Sequence, residues 1–240
     1  MKNILLTGIS KGLGLEITKT LLQSDYNIYG ISRSISIELA DLIAKYPNRI
    51  KHLKYDLSNV KDVKKTIFKK WLDGVVIYGY INNAAMAYDT LLTNMKLDKV
   101  TQMTMINQIT PMLITKYVIR NMILNNTQGT IVHISSISVH TGYKGLAMYA
   151  ATKGALEAFS KTTAREWGTK NIRSNCIVAG FMETDMTNVI DKSVKDRIYN
   201  RTSLKKPTNI NSVAETTVFL MSQKAKSITG QNIHVDNGTI

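Results

Sequence analysis

Tyr149 and Lys153 stand four residues apart in AMYAATKGALEAFSK (147–161), and Ser136 precedes the tyrosine by thirteen positions. Four residues is just over one helical turn, so a phenol and an ammonium at this spacing share a face and lie close together. Free tyrosine titrates near pH 10 and is a poor proton donor or acceptor at neutrality, but a neighbouring cation favours its phenolate. Lowering the phenol by roughly 3 pH units takes about 4 kcal/mol of differential stabilisation. A lysine in a partly desolvated cleft, beside a second cationic group, can supply that. The pair therefore predicts a proton-transfer site with an acidified tyrosine.

Two further residues fit such a site. Ser136 closes a strand-like run within HISSIS, which puts a hydroxyl where it can donate to a developing alkoxide, although a serine at a strand end is usually a turn residue. Ser135, twelve residues before Tyr149, is the lesser candidate. Asn107 lies in MINQITPMLITKY, with Pro111 four residues on. Proline lacks the N–H that would bond to the Asn107 carbonyl, so a local opening is expected that leaves this carbonyl to hold a relay water. A plain helix kink is the rival reading.

These side chains need elements to hold them. Strand-like runs cover Lys2–Thr7, Asn27–Ile31, Ile50–Tyr55, Val75–Asn82, Thr130–Ser135, Ile172–Val178 and Gln231–Val235. Helical patterns cover Leu13–Gln23, Ile37–Tyr46, Val60–Trp71, Leu97–Leu124, Tyr149–Trp167 and Asn211–Ser222. Nearly continuous apolar strands alternating with helices predict a single α/β domain over residues 1–240: a Rossmann-like, doubly wound parallel sheet of about seven strands with helices on both faces. Ligands of such sheets bind beyond the carboxyl ends of the strands. The polar, charged stretch 182–208 follows the sixth strand and is a candidate lid.

A dinucleotide site is the natural ligand of this layout. TGISKGLG puts Gly8, Gly12 and Gly14 between the first strand and the first helix, where backbone amides can approach a pyrophosphate; a simple glycine turn is the alternative. YGISRS carries no carboxylate for a ribose 2′-hydroxyl. Arg33 and Lys11 could instead neutralise a 2′-phosphate, favouring NADP(H), or they could be solvated charges. Asp56, in YDLSN, either accepts a hydrogen bond from adenine or caps the helix near Val60. INNAA (81–85) would meet the cofactor ribose, or be a polar turn.

Composition narrows the function classes. The net charge of +14 invites a nucleic-acid partner, but the lysines are dispersed and no basic block is interleaved with aromatics, so no specific nucleic-acid role is expected. The charge could help recruit anionic substrates or the cofactor itself. His52, His133, His140 and His234 lack ligand spacing, so no catalytic metal is expected. The lone Cys176 in IRSNCIVAG reads as strand core. No stretch is long and apolar enough for a membrane span or a signal peptide, which points to a soluble cytoplasmic protein.

Taken together, these motifs make the chain resemble the short-chain dehydrogenase/reductase family from Lys2 to Gly238. The family's glycine motif matches Thr7–Gly14, its Asn-Asn-Ala-Gly motif matches Asn82–Ala85, and its catalytic Asn, Ser, Tyr and Lys match Asn107, Ser136, Tyr149 and Lys153. The resemblance implies that Tyr149 gives the proton, Ser136 orients and polarises the carbonyl, Lys153 binds the nicotinamide ribose and acidifies the tyrosine, and Asn107 holds a water. It assigns cofactor contacts to Gly8, Ser10, Lys11, Gly12, Leu13 and Gly14, to Arg33, Asp56 and Leu57, to Asn83 and Ala84, and to Gly180, Met182 and Thr184, besides Tyr149 and Lys153.

Within the family, DTLLTNM (89–95), AGFMETDMT (179–187) and SITGQNIHVDNG (227–238) resemble 3-oxoacyl-[acyl-carrier-protein] reductases of fatty acid synthesis. Three positions depart from that pattern: Ala85 replaces the motif's glycine, Ala179-Gly180 replaces Pro-Gly, and of two cations that dock the carrier only Lys170 is matched, the other falling in Asn125-Asn126-Thr127. A small ketone, sugar or polyol is the alternative substrate, and a non-catalytic NADP(H)-binding scaffold the alternative role. Tyr143, Thr184, Met186 and the lid would select the substrate. The family also implies a homodimer or homotetramer built on the two long helices and the last strand.

Overall fold

The computed structural model describes residues 1–184, Thr187 and 191–240. Strands rich in Ile, Leu and Val, covered on both faces, form a seven-stranded sheet. They are β1 (Lys2–Thr7), β2 (Tyr26–Ser32), β3 (Ile50–Lys54), β4 (Gly79–Asn82), β5 (Gly129–Ser136), β6 (Ile172–Ala179) and β7 (Asn232–Val235). All pairings are parallel, in the order β3-β2-β1-β4-β5-β6-β7. The chain builds outward from β1 in one direction and then from β4 in the other, so the strand order reverses between them. A crevice opens at the carboxyl ends of such a pair; here Thr7 and Asn82 are in register at its floor.

The helices are α1 (Gly12–Gln23), α2 (Ile37–Lys45), α3 (Leu97–Thr104), α4 (Thr110–Leu124), α5 (Ser138–Thr141), α6 (Ala147–Trp167), α7 (Lys192–Arg201) and α8 (Ile210–Met221). One apolar core includes Leu21, Leu39, Val213 and Val218 from α1, α2 and α8; a second includes Ile114, Val118 and Met122 from α4. The doubly wound architecture is thus as the alternating pattern predicts. Cys176 is fully buried in β6, where burial pushes its thiol up to about 12, as a core role requires.

Three expected elements differ. The run Val75–Asn82 is strand only from Gly79. Before that point the Asn3 side chain donates to Val76 O, while the Asn121 amide accepts from Ile77 N and donates to Val75 O, so side chains replace the ladder. The predicted helix 60–71 is a 3₁₀ turn, Val60–Asp62, followed by a π-wound segment, Val63–Trp71. The predicted helix 97–124 breaks into α3, a π-wound turn at Met105–Ile109 and α4, with Pro111 in the first turn of α4. A proline there needs no N–H partner, so the chain widens just before it. Asn107 sits in that widened turn.

Candidate active site

The glycine loop is built for close approach. Gly8 has φ +77°, and a Cβ added to it would stand 2.9 Å from the Ala84 Cα. At Gly14 an added Cβ would meet the Gly8 carbonyl oxygen at 1.9 Å, so only glycine lets α1 begin so near β1. Asn83 clamps the turn from the β4 side: its Nδ2 donates to Thr7 O (3.2 Å) and Gly8 O (3.1 Å). Thr7 Oγ1 accepts from the Asn83 and Ala84 amides, both at 3.2 Å. The first turn of α1 carries no side-chain cap and no acidic residue, which leaves its positive end able to receive an anion at the β1/β4 crevice. These residues fit a dinucleotide pyrophosphate.

The remaining dinucleotide candidates divide. Gly12 and Thr184 meet at the loop, the Thr184 methyl lying 3.8 Å from a Cβ built on Gly12, and Ser10 is partly buried in the turn just before it. Arg33, just past β2, is exposed and close enough to Asp56 to help hold its carboxyl below the usual range, an effect led by the Ser58 amide. Asp56 Oδ1 accepts from that amide at 2.9 Å, so the carboxylate closes its own turn, and the cap reading at Val60 is not what forms. Leu13 and Leu57 point into the two cores, which leaves only their backbones for a ligand. Gly180 is a packing glycine: an added Cβ would lie 2.1 Å from Thr208 Oγ1. Lys11 and Met182 stand exposed and partly buried beside the same loops.

On the other flank of the crevice, Ser136, Tyr149, Lys153 and Asn107 come together from three elements, β5, α6 and the π-wound turn before α4. Asn107 is buried and spans the site: Oδ1 accepts from Met86 N at 2.8 Å, and Nδ2 donates to Met86 O at 2.8 Å and Thr152 Oγ1 at 3.1 Å. Its side chain thereby fastens the segment after β4 to α6, a use that the spacing to Pro111 did not reveal. Ser136 Oγ accepts from Ser138 N at 3.2 Å and reaches the Tyr149 phenol, whereas Ser135 turns inward to Glu157. Ser136 is therefore the serine at the tyrosine.

In the protein without dinucleotide, the electrostatics of the Tyr149 phenol are led by burial, which pushes it up to about 12, with the Ser136 hydrogen bond opposing the rise and Asp89 adding to it. Lys153, only 2% exposed, donates to Ile134 O at 2.7 Å and stands 5.7 Å from the Tyr149 ring centre. Burial in turn lowers Lys153 to about 8. Desolvation leads both shifts because both groups leave water, which disfavours the charged form of each.

The segment proposed as a lid contains α7, and the Tyr199 hydroxyl donates to Glu183 at 2.8 Å while its ring packs edge-on to Phe181. Met186 lies outside the described residues. Tyr143, near Arg201 and Asp236, is raised chiefly by burial. Sequence reasoning missed Thr152, which bridges Asn107 and α6, and Glu157, two turns beyond Tyr149 on the same helix. The spacing 149, 153, 157 was the available signal. Among the described residues, no group of three His, Cys, Asp or Glu side chains could hold a metal, and no helix is long and apolar enough to cross a membrane.

Comparison with known proteins agrees with this geometry. A family profile described as "Enoyl-(Acyl carrier protein) reductase" matches residues 8–239. The chain is 34% identical to the 3-oxoacyl-[acyl-carrier-protein] reductase FabG of Buchnera aphidicola subsp. Baizongia pistaciae (strain Bp), over 99% of this chain and 96% of that one. Its fold is similar to 4-hydroxyisoleucine dehydrogenase complexed with NADH (TM-score 0.92, 25% identity, 100% and 98% of the two chains). It is also similar to ElxO with NADP bound (TM-score 0.89, 28% identity, 99% and 98%). With the profile, the sequence relative and the architecture agreeing over almost the whole length, the chain belongs to the short-chain dehydrogenase/reductase family of oxidoreductases.

Proposed function

We propose that the protein is an NADPH-dependent ketone reductase and that its substrate is a 3-oxoacyl thioester, reduced to the 3-hydroxyacyl product. The observation that carries this reading is the convergence of Ser136, Tyr149, Lys153 and Asn107 beside a glycine loop shaped for a dinucleotide. The reduced dinucleotide, when bound, supplies the hydride. The Tyr149 hydroxyl, still protonated at neutrality, gives its proton to the carbonyl oxygen, and Ser136 donates a hydrogen bond to the same oxygen as charge develops there. Lys153, which burial lowers to about 8 and which shares a helix face with Tyr149, returns a proton to the tyrosine near neutral pH. Asn107 holds the path by which that proton is replenished.

Similar structures hold NADH in one case and NADP in another, so the choice of NADPH rests on this chain's own Arg33, exposed past β2 where a carboxylate would select NADH. The thioester reading is supported by the FabG relatives. The uncharged Asn125-Asn126-Thr127 favours thioesters taken without a tightly docked acyl carrier protein, and homodimer or homotetramer assembly completes the proposal. The test is turnover of acetoacetyl thioesters against a panel of sugar, polyol and small ketones with NADPH. Reduction of the thioester with the highest kcat/KM is expected. Turnover of a sugar ketone with none of any thioester would overturn the substrate assignment.

A further inference from the structure

Glu157 follows Lys153 by four residues on α6, so Tyr149, Lys153 and Glu157 form one stripe along the helix. It is 5% exposed, and a carboxylate buried so deeply must have its oxygens occupied by donors. Three elements supply them. Ser135 Oγ of β5 donates at 2.5 Å, Asn232 Nδ2 of β7 at 2.7 Å, and His140 Nε2 of α5 at 3.0 Å. One turn earlier on α6, Lys153 donates to Ile134 O. Two successive residues of β5 therefore grip two successive turns of α6, and the next residue of β5 is Ser136.

We propose that Glu157 is a positioning residue: its three hydrogen bonds fix the register of α6 against the end of β5, and so the placement of Tyr149 and Lys153 against Ser136. It touches none of the reacting atoms and acts through the helix and strand it joins. Its lever is geometric, since a displacement of about 1 Å at a reacting group can cost on the order of 100-fold in rate. Asn107 holds the opposite flank of α6 through Thr152, so loss of Glu157 frees the helix on one side only.

The rate readout rests on the ketone-reductase reading, and a second readout does not. In Glu157→Ala, kcat per dinucleotide-binding site, counted by NADPH titration, should fall at least about 10-fold with KM little changed. Glu157→Gln keeps the shape, accepts from Asn232 and donates to Ser135 and the other His140 tautomer, so it should retain kcat within roughly threefold. Hydrogen exchange of amides 134–138 and 149–153 should quicken in Glu157→Ala and return toward wild type in Glu157→Gln. Wild-type kcat per site and wild-type exchange in Glu157→Ala would overturn the proposal. So would a loss of kcat that merely tracks lost binding sites. A wild-type protein inactive on every ketone would sink the reductase reading instead, with the exchange data still deciding the tether.

Discussion

The Lys153 ammonium donates to the Ile134 carbonyl at 2.7 Å while standing 5.7 Å from the centre of the Tyr149 ring. The cation that the sequence pairs with the phenol is thus tied to the strand beneath it, and each group is shifted by burial toward its neutral form.

That arrangement has a signature in stability. Lys153 titrates near 8 when folded against 10.5 for the free side chain, so below pH 8 the folded state carries a buried charge costing up to about 3 kcal/mol. Between pH 8 and 10.5 the unfolded chain binds the extra proton, and stability from this group rises with pH. Lys153→Met should lack that rise and be more stable at pH 7 by roughly 2 kcal/mol, after about 1 kcal/mol for the lost hydrogen bond. Urea denaturation at pH 7 and pH 10 measures both; parallel pH profiles in the two proteins would refute the assignment.

Tyr149→Phe separates an enzyme from an idle dinucleotide-binding scaffold. Removing a positioned general acid should lower kcat by about 10²- to 10⁴-fold, while NADPH affinity stays within roughly threefold. An ultraviolet difference titration of wild type against the variant, without dinucleotide, should show the phenolate only near pH 12. Unchanged turnover in the variant would favour the scaffold.

Arg33→Ala tests cofactor choice. A charge-assisted bond to a 2′-phosphate contributes about 1.5 to 3 kcal/mol, so NADPH affinity should weaken roughly 10- to 150-fold with NADH nearly unaffected. Equal losses for both dinucleotides, read by fluorescence titration, would place Arg33 outside the phosphate site.

His133 governs the acid limb. Its ring is fully buried between Tyr80 and Phe159, neither nitrogen has a partner among the described residues, and burial holds it at about 3. Stability from this depressed pKa is complete above 6.5 and is lost as pH falls toward 3, up to about 5 kcal/mol. His133→Leu should flatten that fall and leave the protein at least as stable at pH 7. Denaturation midpoints from pH 7 to 4 decide it, and an equally steep acid loss in the variant would show that other groups dominate.

Local pattern was enough for the strands and helices that carry the site, because period and burial are written in consecutive residues. It failed at Val75–Ile77, where apolar content reads as strand but the Asn3 and Asn121 side chains take backbone groups from elsewhere in the chain. It also failed at the π-wound turns, since the pattern of apolar residues does not distinguish one helical winding from another. Asp56 shows a third limit: the residue type fits a cap or an adenine contact, and only the folded chain shows that Oδ1 accepts from Ser58 N instead of capping the helix near Val60.

The sequence by itself determined which groups could meet: a helix of fixed pitch puts Tyr149, Lys153 and Glu157 on one stripe, and glycines at 8 and 14 permit the tight loop. Only the tertiary structure decided what those groups do in the folded protein. Lys153 bonds to Ile134 and Glu157 to Asn232, 75 residues distant, and burial from every side sets their ionisation. Pitch is a property of the local backbone, whereas desolvation and hydrogen-bond partners come from segments that meet only when the chain has folded.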